Sequence, residues 1–335
     1  MLTFTLRRLL LAIPTLLVIS LVIFLLVDLA PGSPMSEIPL TVPPDVRQKM
    51  IEALGADQPV FFRYLLWLRQ FFWVEPMTLF DGWSGTHFVE GEQRILSWQS
   101  RSPVFTIIGQ RLPQTLTVIG TAYLVGILIA LPIGIYSAYR QYSFFDQGGT
   151  LFAMLGFSVP TFFSGTLFII IFAVWLGWFP TKYDTQLVVH DWESFLKQVK
   201  QMALPVMTLG LANAAAISRY MRSSMLDNMT QDYVRTARAK GMTERTVVLK
   251  HVLRNSLIPV ITVIALGIPS IFGGAIITEN LFGVNGIGAA LIGAIHANDI
   301  PMVQTLAFIF AVLIVLFNLI ADILYGFLDP RIRYD

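Results

Sequence analysis

The chain has 335 residues, of which 55% are hydrophobic and only 13% are charged, and its formal net charge is +2. Soluble domains carry about 25% charged residues, so this composition predicts a protein that lies in a lipid bilayer. The absence of cysteine excludes a disulfide framework, a thiolate nucleophile and a cysteine metal site. The four histidines lack the paired spacing of a zinc enzyme. No metal and no cofactor are therefore expected in this chain.

Six apolar segments are long enough to cross the about 30 Å of hydrocarbon in a bilayer. In chain order they are residues 9–29, 116–139, 150–178, 204–221, 258–278 and 303–327. The first is longer than the roughly 7–15 apolar residues of a signal peptide, so we expect it to be retained. Internal prolines such as Pro160 are expected to be tolerated, because neighbouring helices satisfy the freed backbone groups. The segments predict an all-α polytopic membrane protein.

Basic residues concentrate on one side of these spans. They precede the first span and follow the second, fourth and sixth, whereas the loops after the third and fifth carry balanced charge or no basic residue. By the positive-inside rule, both termini are expected in the cytoplasm. The predicted parts are an N-terminus with the first span (1–30), an external segment (31–112), a five-helix core (113–327) with a cytoplasmic loop (222–255), and a cytoplasmic tail (328–335).

The external segment contains a stretch, residues 60–74, with apolar and aromatic side chains at roughly helical spacing. An interfacial helix on the outer leaflet fits this pattern. A small packed cap fits it equally well, and the sequence leaves both alternatives open.

The loop between the fourth and fifth spans is strongly basic. Residues 219–254 contain eight Lys and Arg against three acids. Good helix formers over 233–240 and a glycine at Gly241 predict a helix with a left-handed end. Thr243 is the expected N-cap of a second helix through His251. A loop whose charges only set topology is the alternative. A DNA-binding helix-turn-helix is disfavoured because a third packing helix is missing, so no nucleic acid is expected.

Residues 233–241 read Tyr-Val-Arg-Thr-Ala-Arg-Ala-Lys-Gly, and Lys-His-Val-Leu-Arg-Asn follows. This pattern resembles the inner-membrane permeases of binding-protein-dependent ABC importers. Aligned on the glycine, the Glu-Ala-Ala positions of that family's motif fall on Arg235, Thr236 and Ala237, and only the last matches. The departure is similar to the dipeptide, oligopeptide and nickel branch. Residues 7–10, 29–34, 279–288, 299–301 and 328–334 also resemble that branch, whereas 83–102 is longer than is usual there.

The resemblance implies a type I ABC importer permease fold with six transmembrane helices, in a bacterial or archaeal cytoplasmic (inner) membrane. It also implies a complex with a homologous second permease, one or two kinds of ATPase subunit and an external solute-binding protein. The basic loop would contain a coupling helix that contacts an ATPase subunit. The residues implied in that contact are Arg235, Thr236, Ala237, Arg238, Ala239, Lys240, Gly241, Met242 and Arg245.

Within the implied coupling helix, the basic residues would supply steering and polar contacts. Ala237, Ala239 and Met242 would allow close packing against the partner, and Gly241 would permit the bend. The chain contains no Gly-x4-Gly-Lys-Ser/Thr phosphate loop. ATP and Mg are therefore expected to be used by the partner ATPase subunits, and the chain itself is not expected to be an enzyme.

Polar residues within or beside the spans are candidates for the translocation pathway, because ionisable groups in a membrane are costly. The candidates are Asn213, Arg219, Ser270, Thr278, Glu279, Asn318 and Asp322. For Asp322 a polar anchor near the inner end of the sixth span is the favoured alternative. Glu279 suits either gating or contact with the binding protein. We also hypothesise that residues 280–301 form a re-entrant or gate-like external loop.

Other classes of function remain open at this point. An ion-coupled carrier would need inverted repeats around a midplane site, and no convincing repeat is visible. An intramembrane enzyme would need a catalytic set at matched depth, which the spans lack. Peptides are the cargo that the resemblance most directly implies. Nickel chelates, glutathione, opines and oligosaccharides travel through similar permeases, and selectivity resides in the external binding protein.

Overall fold

A computed structural model describes residues 2–29, 58–272 and 276–328 of the chain. The helices are α1 (Leu2–Asp28), α2 (Val60–Arg69), α3 (Glu75–Ser84), α4 (Val104–Thr115), α5 (Thr121–Tyr139), α6 (Phe144–Ser158), α7 (Thr161–Phe168), α8 (Trp192–Met229), α9 (Asp232–Ala239), α10 (Glu244–Thr246), α11 (Leu253–Phe272), α12 (Ile276–Phe282), α13 (Ile287–His296) and α14 (Ile300–Leu328). π-helical segments are Gln70–Val74, Leu116–Gly120, Ile169–Trp175 and Val247–Val252. Predictions for 30–57 and for the tail beyond 328 lie outside the described residues.

The described part of the chain has five helical stretches that are long and apolar enough to cross a membrane. They are Leu6–Asp28, Val104–Tyr139, Trp192–Met229, Glu244–Pro269 and Ile300–Ile323. These overlap the predicted first, second, fourth, fifth and sixth spans. Two bent helix pairs raise the number to seven if each pair is one span. The all-α membrane fold predicted from composition is confirmed.

The predicted third span, residues 150–178, is not one straight helix. Helices Phe144–Gly156 and Thr161–Trp175 meet at an angle of 104°. Pro160 lies at the break, and Val159 before it has extended backbone with φ −87° and ψ 122°. Proline disfavours the helical conformation at the preceding residue, so the expectation that Pro160 is tolerated within a helix is wrong.

The helices extend beyond the apolar segments that predicted them. Helix α8 has 38 residues, whereas the predicted fourth span ran over 204–221. Its start is fixed by a capping box, in which the Asp191 carboxylate accepts from the Ser194 amide at 2.7 Å and the Ser194 hydroxyl accepts from the Asp191 amide at 3.0 Å. The predicted fifth span ends at Thr278; α11 is described as far as Phe272 and Thr278 lies in α12, and residues 273–275 between them lie outside the described residues.

The described chain divides into two compact units. The first contains the described residues within 1–9, 114–289 and 314–335. Its core packs α5 against α8 through small residues: Ala130 and Ala214 are fully buried, and Ala138 is 1% exposed. Small residues let membrane helices approach closely, which increases their van der Waals contact.

The second unit contains the described residues within 10–113 and 290–313. One face of α2 is buried, and its Trp67 ring lies 6.3 Å from the ring of Phe24 and 5.3 Å from that of Phe308. The Tyr64 hydroxyl hydrogen-bonds with Ser20 at 2.8 Å. This face matches the packed-cap alternative. The opposite face exposes further aromatic residues such as Phe61, and its placement on the outer leaflet stays a prediction.

The long segment 83–102 is held by two buried carboxylates of the same unit. Glu75 accepts from the Arg94 guanidinium at 2.6 Å and from the Ile95 amide at 3.1 Å. Asp299 accepts from the Ser97 hydroxyl and, at 3.0 Å, from the Trp98 amide. Because both acids are almost fully buried, these bonds give the segment a structural role that the sequence left open.

Candidate functional site: the basic loop and the buried polar clusters

The basic loop forms a helix, a turn and a second helix, as the sequence predicts. Helix α9 is followed by a turn at Lys240 and Gly241, and α10 begins after Thr243. The second helix does not end at His251, because the π-helical segment Val247–Val252 continues it directly into α11. The predicted loop 222–255 is thus shorter than expected: residues 222–229 belong to α8, and 244–255 belong to the helix that leads into the membrane.

The turn is a Schellman motif, which is a common way to end a helix. The Met242 amide donates to the Ala237 carbonyl at 3.4 Å, and the Gly241 amide donates to the Arg238 carbonyl at 2.9 Å. Gly241 has φ +72°, a left-handed conformation that glycine adopts without the steric cost other residues carry. The expectation that Gly241 permits the bend agrees with this geometry.

Helix α9 has one buried face, which attaches it to the second helix. Val234 is fully buried and Ala237 is 5% exposed, in a cluster with Val247, Val248 and Val252. Met242 is half-buried against the same cluster. Ala237 therefore packs inside its own chain, and the expectation that it offers a contact surface to a partner is corrected.

The opposite face of α9 and the turn are exposed. The exposed residues are Arg235, Thr236, Arg238, Ala239, Lys240, Gly241 and Arg245. Arg238 forms a bidentate salt bridge with Glu244 across the turn, with distances of 2.7 and 3.1 Å. The Glu244 carboxylate raises the pKa of the Arg238 guanidinium above its ordinary value. Because both side chains are about 40% exposed, this bridge contributes modestly to stability, and the face stays strongly basic.

Two contacts that sequence reasoning missed brace the loop. The Tyr233 hydroxyl hydrogen-bonds with the Asn228 side chain at 2.6 Å. The Ser224 hydroxyl donates to the Ser256 backbone carbonyl at 2.9 Å. The Ser256 hydroxyl shares its proton between the Val252 carbonyl of its own helix at 2.9 Å and the Ser224 carbonyl at 3.1 Å. The serine pair joins α8 to α11 at the two ends of the loop. The two serines are 32 positions apart, so no local sequence pattern identifies the pair.

A third missed contact joins α6 to α8. Asp146 accepts from Arg222 at 2.6 and 2.9 Å and from the Tyr142 amide at 2.9 Å. Its side chain is only 4% exposed. No local pattern distinguishes Arg222 from the other basic residues of this stretch, because its partner lies 76 positions away.

Glu279 lies in a closed polar cluster. It is fully buried and accepts from the Thr115 hydroxyl and from the Ala289 amide, both at 2.8 Å. The same Thr115 oxygen accepts from the Ile287 amide at 2.9 Å. The carboxylate thus lies at the start of α13, where the helix dipole favours negative charge. Helices α12 and α13 meet there at 91°, the geometry of a broken span or a re-entrant loop. The gate hypothesis stays a prediction.

The other pathway candidates are scattered. Asn213 is half-buried on α8, Asn318 is exposed on α14, and Thr278 is 1% exposed beside Glu279. Asp322 forms a salt bridge of 2.7 Å with Arg8, which agrees with its role as a polar anchor. The side chain of Ser270 lies outside the described part of the structure. A pathway lined by these residues stays a prediction.

Two family models together match most of the chain. Residues 130–334 match the family "Binding-protein-dependent transport system inner membrane component". Residues 1–119 match the N-terminal family of the same transport system membrane components. The two matches cover both helical units.

Curated relatives agree with the family models over the full length. The oligopeptide transport system permease protein AppB of Bacillus subtilis is 37% identical over 100% of both chains. A putative peptide transport system permease of Brucella abortus is 35% identical over 98% of both chains. The glutathione transport system permease protein GsiC of Salmonella paratyphi A is 36% identical over 100% of both chains. The chain therefore belongs to the multi-pass inner membrane components of binding-protein-dependent transport systems.

Proposed function

We propose that this chain is the permease subunit of an ATP-driven importer of di- and oligopeptides. It forms the pathway with a homologous second permease and receives solute from an external binding protein. The observation that carries the proposal is the exposed basic face of α9, held on a rigidly anchored helix at the end of two membrane spans. Relatives named as oligopeptide and peptide permeases support the choice of cargo.

The coupling step follows from how α9 is anchored. Its buried valine and alanine pack on the helix that leads into α11, so a displacement of α9 moves that span instead of deforming the loop. The serine pair at the loop's base, Ser224 and Ser256, carries the same displacement to α8. The partner ATPase subunits bind ATP and Mg, and their closure is the source of the movement. Arg235, Lys240 and Arg245 steer the contact with them electrostatically.

Both termini lie in the cytoplasm in this proposal. The basic residues beside the spans follow the positive-inside rule. The salt bridge between Arg8 and Asp322 supports a common side for the start of α1 and the end of α14. The basic face of α9 is then on the side where the ATPase subunits are.

Glutathione is the second candidate cargo, because a permease named for glutathione transport is 36% identical over the full chain. Uptake into proteoliposomes decides between these cargoes. The complete importer is reconstituted with its binding protein outside and ATP available to the ATPase subunits. We expect uptake of labelled di- or oligopeptide that requires ATP and the binding protein. Uptake of labelled glutathione but not of these peptides would instead assign glutathione as the cargo. Uptake driven by a proton or sodium gradient without the ATPase subunits would refute the proposal in favour of a carrier.

A further inference from the structure

Helix α2, the π-helical segment Gln70–Val74 and helix α3 form one continuous helix, Val60–Ser84. The residues at the two junctions, Gln70 and Glu75, keep right-handed helical backbone angles. One face of this helix packs within its own unit, through residues such as Trp67. The opposite face exposes large apolar side chains, which include Phe61, Phe62, Leu65, Phe72, Trp73 and Trp83. An exposed apolar patch of this extent marks contact with another protein or with a membrane.

The charges of α1 show where a bilayer lies along that span. Between Arg8 and Asp28, α1 has nineteen residues without a charge. The two charged residues are twenty positions apart, which is about 30 Å along a helix axis. This length equals the thickness of the hydrocarbon layer, about 30 Å. Because charged side chains are costly in that layer, the layer has to fill the stretch between Arg8 and Asp28.

Helix α2 packs on α1 within this stretch. Arg63 forms a salt bridge of 2.6 Å with Asp28, at the boundary of the layer. The Tyr64 hydroxyl hydrogen-bonds with Ser20 at 2.8 Å, and the Tyr64 ring lies 5.3 Å from that of Phe24. Ser20 and Phe24 precede Asp28 by eight and four positions, which is about 12 and 6 Å along α1. Helix α2 therefore lies beside the hydrocarbon part of α1 and not beyond its end.

The span α14 gives the same depth. Its Phe308 ring lies 4.8 Å from the ring of Phe71 and 5.8 Å from that of Phe72. No charged residue lies between Asp299 and Asp322. A hydrocarbon layer that began only after Phe308 would have fourteen positions of α14 before Asp322, or about 21 Å. Since this is too short for a layer of about 30 Å, the layer has to include the level of Phe308 and of the rings packed on it.

The charged side chains of the Val60–Ser84 helix do not oppose contact with lipid. The four of them are bonded as Arg63 with Asp28, Arg69 with Glu92, Glu75 with Arg94, and Asp81 with Thr86. Unpaired charges would be costly in a bilayer, whereas paired ones are tolerated. The exposed tryptophans of the helix, Trp73 and Trp83, are a residue type that is enriched at the head-group level.

We propose that the Val60–Ser84 helix is embedded in the leaflet at the Asp28 end of α1, with its exposed aromatic face against lipid acyl chains. Lipid is the occupant because α1 exposes Leu25 and Leu26 at the same depth, and the aromatic face continues this lipid-facing surface. The packed cap and the membrane helix, which the sequence left as alternatives, are then the two faces of one helix. Through Glu75, which binds Arg94, the embedded helix holds segment 83–102 at the membrane surface.

Spin labels measure whether the aromatic face contacts lipid. The chain has no cysteine, so Phe61→Cys and Phe72→Cys each introduce a single labelling position. The importer is assembled with cysteine-free partner subunits in vesicles of phosphatidylethanolamine and phosphatidylglycerol. Each label is tested for collision with oxygen, which dissolves in the bilayer, and with a nickel chelate, which stays in water. We expect high access of oxygen and low access of the chelate at both positions.

Two further labels calibrate this measurement. Leu26→Cys reports the lipid-facing surface of α1, where the side chain is 64% exposed. Glu90→Cys reports water, because this charged side chain is 74% exposed in segment 83–102. Access of the chelate at Phe61 and Phe72 equal to that at Glu90 would place the face in water and overturn the proposal. Low access of both reagents would mean that another subunit covers the face, which would also overturn it.

Photolabelling of the unsubstituted chain excludes an effect of the substitutions. Phosphatidylcholine with a diazirine in its acyl chain is added to the assembled importer, and the adducts are mapped by mass spectrometry. We expect adducts within residues 61–72 as well as on α1, and none within residues 90–102. Adducts on α1 without any within 61–72 would overturn the proposal. Neither measurement involves transport, so both outcomes are independent of the proposed function.

Discussion

The carboxylate of Glu279 occupies the space that a side chain at Gly286 would need. A Cβ added to Gly286 would lie 2.3 Å from Oε1 of Glu279 and 2.4 Å from the Thr115 hydroxyl. The close approach lets Thr115 accept from the Ile287 amide while Glu279 accepts from Ala289. The sharp junction of α12 and α13 is thus built around one buried acid and the absence of one side chain.

Gly286→Ala is therefore expected to destabilise the protein. Both atoms next to the new methyl group belong to a fully bonded buried cluster, so they cannot move without breaking hydrogen bonds. Overpacking of this kind costs about 1–3 kcal/mol. Thermal unfolding of the purified protein measures the loss. Gly293→Ala is the control: Gly293 lies within α13, which begins directly after Gly286, and nothing is within 4 Å of its added Cβ, so the change should be neutral or slightly stabilising. Equal losses in both variants would contradict the packing argument.

Thr115→Val tests the hydrogen bonds of this cluster separately from its packing. Valine keeps the shape of the side chain but removes the donor to Glu279 and the acceptor for the Ile287 amide. Leaving buried polar groups unsatisfied costs about 1–3 kcal/mol for each group, so the Tm should fall clearly. Thr166→Val is the control, because its hydroxyl bonds only to a carbonyl within its own exposed helix turn. A Tm loss as small as that of the control would mean that water replaces the bonds.

Local sequence signals predicted the helices and the turn of the basic loop. Contacts between residues that are far apart in the chain could not be predicted from the sequence. A glycine followed two residues later by a threonine marks a helix end and a helix start within one short stretch, and Gly241 and Thr243 have those positions. The capping cluster of Glu279 depends on Thr115, 164 positions away, and no local pattern identifies such a partner. Polarity alone therefore made Glu279 a pathway candidate.

The burial of Ala237 also depends on a contact with another segment, which the sequence does not show. Its place on α9 could be predicted, but the side of α9 that faces its own chain depends on the π-helical continuation to α11. The second helix predicted through His251 already contains Val247 and Val248, but the sequence alone does not show that they pack against α9. The break at Pro160 could have been predicted locally, because proline restricts the residue before it.

Asp146→Asn should be one of the more damaging single substitutions in the first unit. It leaves the partly buried Arg222 guanidinium without its carboxylate. Removing one partner of a buried ion pair costs about 3–5 kcal/mol, and the partial exposure of Arg222 favours the lower end. Asp232→Asn is the control, since its contact with Arg235 is 3.6 Å long and the aspartate is 96% exposed. Chemical or thermal unfolding should separate the two variants, and a loss no larger than that of Asp232→Asn would exclude a stabilising role for the pair.

Gly241→Val is expected to uncouple ATP hydrolysis from uptake. A β-branched residue is strained at φ +72°, so the Schellman turn opens and α9 loses its fixed angle to the second helix. The variant should still insert into the membrane, because the spans are untouched. Uptake and ATPase activity are measured in proteoliposomes of the assembled importer, and binding-protein-stimulated uptake should fall to background.

Gly85→Val is the matched control for this experiment. Gly85 also ends a helix with a positive φ, +70°, and a Cβ added there meets nothing within 4 Å, as at Gly241. The two variants impose the same backbone strain, one in the external segment and one in the basic loop. Loss of uptake in Gly241→Val with uptake retained in Gly85→Val would tie transport to the geometry of α9. Normal uptake in Gly241→Val would refute the coupling role, because a strained turn could not then hold a helix that transmits movement.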